Sequence, residues 1–363
     1  MRTVVTGAAG FIGSHLCEHL LDSGDEVVGV DALTEYYDPA LKRRNLARLL
    51  GRPRFAFHRA DLLRLPLAEL FAGADVVYHL AGQPGVRASW GEEFGCYLER
   101  NVQVTQRVLE AARGARLRKL VYASSSSVYG DAAAYPVAET LRPRPVSPYG
   151  VTKLAAEHLC ELYRGCFGVP TVSLRLFSVY GPRQRPDMAF ARLIPAALDG
   201  VPFPLHGDGQ QSRDFTYVRD VVTVMRQAAL RPWTGVANVG GGRRVTMNQV
   251  IELVSALAAP VVLRRLPEQH GDVRHTGADI TLARRYLGYR PAVGIHQGLA
   301  AMVAAELAER GELPVRTGAV VGGTRTAGTR TAGDRTAGDR TAGDRPAVGQ
   351  PTVGRPAAGR AAV

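Results

Sequence analysis

The chain has 363 residues, 46% of them hydrophobic, and a formal net charge of +12. That length and apolar content can bury a large core, in one large or two intimately joined domains. No apolar run reaches the roughly 18 residues of a membrane span, and Met1 leads straight into a strand-like Arg2 to Thr6 rather than a signal peptide, so a cytoplasmic protein without a membrane partner is expected.

Much of the positive charge comes from arginines spread along the C-terminal tail, with no basic stripe interleaved with aromatics, which argues against a nucleic-acid partner. Cys17, Cys96, Cys160 and Cys166 follow no metal-ligand spacing and read as reduced packing residues, so no metal is expected.

From Arg2 to about Phe177, the short runs VVT, VVGVD, FAFHR, VVYHL, LVYAS and VSLRLF alternate with segments carrying apolar residues at helical spacing. This rhythm predicts an α/β fold, a doubly wound parallel sheet buried on both faces. After Gly181 the pattern loosens into a smaller α/β region, with helices predicted at Ala189 to Asp199, Val218 to Leu230, Thr246 to Ala258, Asp279 to Leu287 and Ile295 to Arg310. Thr246 followed by Gln249 reads as a capping box. Beyond Gly311 a five-residue repeat of Thr, Arg, Ala, Gly and Asp has almost nothing to bury and is expected to be disordered.

The segment Thr6-Gly7-Ala8-Ala9-Gly10-Phe11-Ile12-Gly13 links the first strand to the first helix. Glycines there let the backbone approach a pyrophosphate seated on the helix N-terminus, the Rossmann-type arrangement. Asp31 at the end of the second strand can accept both ribose hydroxyls of an adenosine and would repel a 2′-phosphate, favouring NAD over NADP. Asp61 and Leu62 suit the adenine edge, and Leu80-Ala81-Gly82 would let the cofactor lie against the backbone.

Tyr149 and Lys153 stand four apart behind a Ser147-Pro148 helix start, so they share a face. A lysine ammonium beside the tyrosine, with oxidised nicotinamide, would favour the phenolate and make Tyr149 a general base for a sugar hydroxyl. The hydroxyl-rich loop Ser125-Ser126-Ser127 before Val128-Tyr129-Gly130 follows a central strand, where ligands of open α/β sheets bind.

Together, TGAAGFIG, Asp31, the serine loop before VYG, and YGVTK resemble the extended short-chain dehydrogenase/reductase family, in its nucleotide-sugar epimerase, dehydratase and decarboxylase branch. The match runs from Met1 to about Ala308. DALTEYYDPALKRRNLARL, HLAGQPGVRAS, GPRQRPDMA and GDGQQSRDFTYVRD are most similar to UDP-glucuronate 4-epimerases.

The resemblance implies an NAD-binding domain over residues 1–180 that carries Tyr149 and Lys153 and a substrate-binding region over 181–310 intertwined with it, leaving 311–363 as tail. It implies Ser125 as the hydroxyl partner of Tyr149, and Lys153 as the residue that positions the ribose. Arg185 would face the substrate carboxylate with Ser126, Ser127 and Ser178. Leu205, Arg213 and Asp272 would lie against the uridine and its phosphates, and a homodimer would form through the helices Glu93 to Arg113 and Tyr149 to Phe167. Departures from the family pattern are Gly82 in place of alanine, and Gln269 and His270 before Gly271-Asp272.

The implied reaction passes through a 4-keto sugar and returns the cofactor unchanged. UDP-glucose 4-epimerisation and UDP-glucuronate decarboxylation are the nearest alternatives. Family dehydratases and decarboxylases carry carboxylates where this chain has Ser126 and Ser127. From another class, a catalytically silent NAD-binding sensor or scaffold would lack a reason to keep Ser125, Tyr149 and Lys153.

Overall fold

The computed structural model describes residues 1–268 and 273–312. In chain order its first half runs β1 (Arg2–Thr6), α1 (Phe11–Asp22), β2 (Glu26–Asp31), α2 (Pro39–Ala47), β3 (Phe55–Arg59), α3 (Leu67–Phe71), β4 (Val76–His79), α4 (Phe94–Tyr97), α5 (Val104–Gly114), β5 (Lys119–Ser125), α6 (Pro148–Phe167), β6 (Thr171–Leu176) and β7 (Val179–Tyr180). The second half adds α7 (Ala189–Leu198), β8 (Phe203–His206), β9 (Ser212–Asp214), β10 (Thr216–Tyr217), α8 (Val218–Leu230), β11 (Gly235–Val239), β12 (Arg244–Thr246), α9 (Met247–Leu257), β13 (Leu263–Leu266) and α10 (Ile295–Arg310).

Seven strands form one parallel sheet in the order β11-β6-β5-β4-β1-β2-β3. The chain winds outward from β1 to β3, then returns to place β4 on the other side of β1. That reversal opens a crevice at the carboxyl ends of β1 and β4, where such sheets bind nucleotides. Central strands are buried on both faces, whereas β3 alternates between half-buried and exposed. FAFHR is therefore not the doubly buried strand its apolar content suggested: as the last strand it has a neighbour on one side only.

Local chemistry sets the helix ends. The Ser147 hydroxyl accepts from Gly150 N at 3.1 Å with Pro148 in the first turn, and Gly168 at φ +69° closes α6. Thr246 and Gln249 form the reciprocal capping box of α9.

Two expected helices are less regular. Glu93 to Arg113 is broken into α4, a wide π-turn over Leu98–Gln103, and α5. Asp279 to Leu287 condenses to a helical piece that ends in a π-turn at Ala283–Leu287, its start held by Asp279 Oδ1 accepting from Thr281 N. Cys17 and Cys160 are buried, but Cys96 is half-buried and Cys166 exposed, so these two are not packing residues. Among the described residues no helix is long and apolar enough to cross a membrane.

A second core lies away from the sheet, where Phe190, Leu193, Phe203, Leu205, Val250 and Leu299 pack together. It supports the segments that wall the far side of the crevice.

Candidate active site

Beneath the crevice the glycine turn presents bare backbone to the pocket. Gly7 has φ +72°, and a Cβ on it would stand 2.9 Å from Ala81 N. A Cβ on Gly13 would run into the Gly7 carbonyl oxygen. Only glycine allows so close an approach. Gly10 caps α1 without any side-chain acceptor, so no capping group competes for the first-turn N–H donors. Such donors, at the positive end of a helix, suit a diphosphate.

Asp31 is buried and accepts from Ala9 N at 3.1 Å and Leu33 N at 2.8 Å. It thus holds the glycine turn in place, while a carboxylate's further lone pairs remain for a ribose. A pocket of about 220 Å³ is bounded by this turn, by Asp31, by Asp61 and Leu62, and by Leu80, Ala81 and Gly82. The glycine at position 82 has a local reason, since a Cβ would stand 2.8 Å from Asn101 Oδ1, the atom that accepts from Gln83 N. Cradle, helix terminus and ribose acid fit NAD, and would hold its pyrophosphate and adenosine.

A larger cleft, of about 820 Å³, adjoins it. Ser125, Ser126, Ser127, Tyr149, Lys153, Ser178, Arg185, Leu205 and Arg213, each singled out from the sequence, all line it. Asp272, Gln269 and His270 lie outside the described residues, as do residues 313–363 of the tail.

The Tyr149 ring keeps part of its surface toward the cleft, while its hydroxyl is deep enough for burial to push its pKa above the ordinary value. A hydrogen bond with Ser125 and the positive charge of Arg185 pull the other way. The relief expected from Lys153 thus comes, within the protein, from these two groups. Lys153 is buried with Nζ 4.5 Å from the centre of the Tyr122 ring, and burial pushes it down to about 8. It still carries charge at neutral pH.

Below the dyad lies a buried polar chain not legible in the sequence. Ser124 Oγ donates to Glu157 Oε2 at 2.8 Å, and Arg175 forks onto Glu157 with bonds of 3.0 and 2.5 Å. Arg175 Nη1 also donates to Tyr129 Oη at 2.7 Å, and Tyr129 donates to Asn238 Oδ1. The chain ties the serine loop, α6, β6 and β11 into one rigid unit.

Sequence reasoning also passed over Tyr36, Arg100, Lys42 and Asp187, which line one or both pockets. The paired tyrosines of EYYDP, an aromatic cluster in a loop, were the available signal for the first of these.

A parallel αβ sheet with a glycine cradle and a Ser–Tyr–Lys set at its carboxyl edge is the arrangement that suits a dinucleotide-dependent enzyme. Residues 3–240 match the NAD dependent epimerase/dehydratase family. The chain is 45% identical over 303 residues to the uncharacterized UDP-glucose epimerase YtcB of Bacillus subtilis, covering 82% of this chain and 96% of that protein. It is 38% identical over 305 residues to a UDP-glucuronate 4-epimerase of Thermodesulfobacterium geofontis, covering 82% and 93% respectively. The solved structure of UDP-glucuronic acid 4-epimerase from Bacillus cereus, in complex with UDP-glucuronic acid and NAD, matches with 44% identity and a TM-score of 0.82, covering 84% of this chain and 98% of that one. The protein belongs to the NAD-dependent epimerase/dehydratase family, as an NAD-dependent nucleotide-sugar 4-epimerase.

Proposed function

We propose that the protein interconverts UDP-glucuronate and UDP-galacturonate. The observation that carries this reading is the place of Arg185, a guanidinium lining both pockets and close enough to Tyr149 to act on its charge. There it can hold a carboxylate one carbon away from the reacting centre.

Tyr149 takes the proton of the 4-hydroxyl, with the Ser125 hydroxyl sharing it through their hydrogen bond. Lys153 supplies a fixed positive charge on the same helical face. NAD, when bound, would supply the hydride acceptor for that carbon and the donor back to the opposite face of the ketone. The broad cleft gives the 4-keto sugar room to turn, while Leu205 and Arg213 on its far wall grip the uridine diphosphate.

A 4-keto uronate is a β-keto acid, and it loses carbon dioxide when the breaking bond aligns with the carbonyl π system. Arg185, with Ser126, Ser127 and Ser178, holds the carboxylate out of that alignment. The serine loop carries no carboxylate for dehydration or decarboxylation.

UDP-glucose is the second reading, favoured by one observation: Arg185 is already paired with Asp187. A homodimer accompanies either reading. Leu98, Val151 and Leu162 are exposed apolar side chains on the helices expected to meet, and Val151 and Leu162 share one face of α6.

Incubation of the purified protein with UDP-glucuronate and, separately, UDP-glucose, followed by proton NMR without added NAD, tests the assignment. Formation of UDP-galacturonate is expected. Formation of UDP-galactose alone would remove the role given to Arg185, and a UDP-pentose would show that the serine loop does not restrain decarboxylation.

A further inference from the structure

Arg185 and Asp187 flank Pro186, and their side chains meet as two forks. Arg185 Nε and Nη2 donate to Asp187 Oδ1 and Oδ2, both at 3.0 Å. Tyr36, from the loop after β2, donates to the same Asp187 Oδ2 at 3.4 Å, reaching across the crevice from the cofactor side. A turn closed by Met188 N donating to Arg185 O at 3.0 Å holds the two residues in this relation. All three side chains line the larger cleft.

A guanidinium has five N–H donors, and two of Arg185's are committed to Asp187. The remainder can still meet a ligand, but the local charge of the pair is zero. A sugar carboxylate approaching Arg185 therefore meets a second carboxylate on the same cation, whereas a neutral hydroxymethyl group meets no such repulsion.

We propose that Asp187 is a specificity-determining residue: seated on Arg185, it lowers the cleft's preference for a carboxylate-bearing sugar and so admits the neutral hexose. This inference rests on the reading of Arg185 as the carboxylate-facing residue. If Asp187 served only to orient Arg185, its removal would weaken both sugars together or the uronate more.

The test compares the full-length, NAD-loaded protein with its Asp187→Asn form, which keeps an oxygen acceptor while removing the charge. Asp187→Ser is a second variant in case the amide perturbs the loop. Dissociation constants for UDP-glucuronate and UDP-glucose are measured by calorimetry at low and high salt. The expected result is that UDP-glucuronate binds about tenfold tighter to the variants at low salt while UDP-glucose changes less than about twofold, and that salt narrows the gap. A ratio of the two constants that is unchanged, or shifted toward UDP-glucose, overturns the proposal. Failure of the reading beneath it is separate and visible elsewhere, as absence of UDP-glucuronate turnover by the wild-type protein.

Discussion

The two sides of the crevice are built by different means. The cofactor side presents mostly backbone, with Gly7 and Gly13 at positions where a Cβ has no room and Gly10 where one would crowd the Gly7 carbonyl oxygen. The side proposed for the sugar is lined by charged and hydroxyl side chains from segments as far apart as Tyr36 and Arg213, several of them already bonded to a protein neighbour. A backbone cradle tolerates little change in sequence and offers little choice of ligand. A ring of paired side chains can be retuned by replacing one partner, which suits a family whose members share a cofactor and differ in substrate.

If the two sides are separable, variants should damage them separately. The largest effect is expected at the seam: Tyr149→Phe should lower kcat by about 10³-fold while leaving bound NAD unchanged, read by turnover and by NAD released on denaturation. A fall of less than tenfold would mean that another group carries the proton. Next comes the buried pair beneath both sides. Glu157→Gln leaves Arg175 with an unmatched buried charge and should cost about 3 kcal/mol of folding free energy, measured by urea denaturation. Retention of full stability would show that the polar chain is not a shared foundation.

Gly13→Ala should act on the cofactor side alone. The Gly7 carbonyl must move to admit the new methyl group, and NAD affinity should fall roughly tenfold or more, with the circular dichroism spectrum unchanged. An unaltered NAD affinity would break the contrast with the sugar side.

At neutral pH the smallest effect is expected at His79, whose contribution shows only on acidification, as a pH dependence of stability. His79 is buried between the Thr6 and Thr105 hydroxyls, at 2.8 and 3.0 Å, and burial lowers its pKa to about 3. The unfolded chain therefore takes up a proton near pH 6.5 that the folded chain refuses. Its contribution is complete above about pH 6.5 and is lost as pH falls toward 3, by about 1.4 kcal/mol per pH unit. Denaturation curves between pH 6 and 4 should show a slope smaller by one proton in His79→Asn, and equal slopes would mean that the ring charges within the fold.

The same contrast explains what could be read in advance. Strands β1 to β6 and the glycine turn were visible because each depends on neighbours in the chain. The seventh strand, GVANV, was missed: it is short, and its place beside β6 is fixed by tertiary pairing. Arg175 sits mid-strand, where a charge suggests solvent, yet it is buried against Glu157 from another element. The π-turn at Leu98–Gln103 leaves no mark in residue spacing that a regular helix would not also leave. At the site, Ser125, Tyr149 and Lys153 could be proposed because two share a helical face and the third ends a strand. Asp187 could not, because its meaning lies in its bonds to Arg185 and Tyr36.

The order of the sheet bears on how such an enzyme can be taken apart. β11 joins the edge of β6, and α8 packs against α1, although both come from the chain beyond Gly181. A fragment ending near residue 180 would bare the flank of β6 and the apolar side of α1, and would pair with other chains instead of folding as a free cofactor module. Exchange of sugar-side halves between relatives would likewise carry away one strand of the sheet. A change of substrate is therefore more readily reached in this architecture through point changes within an undivided body.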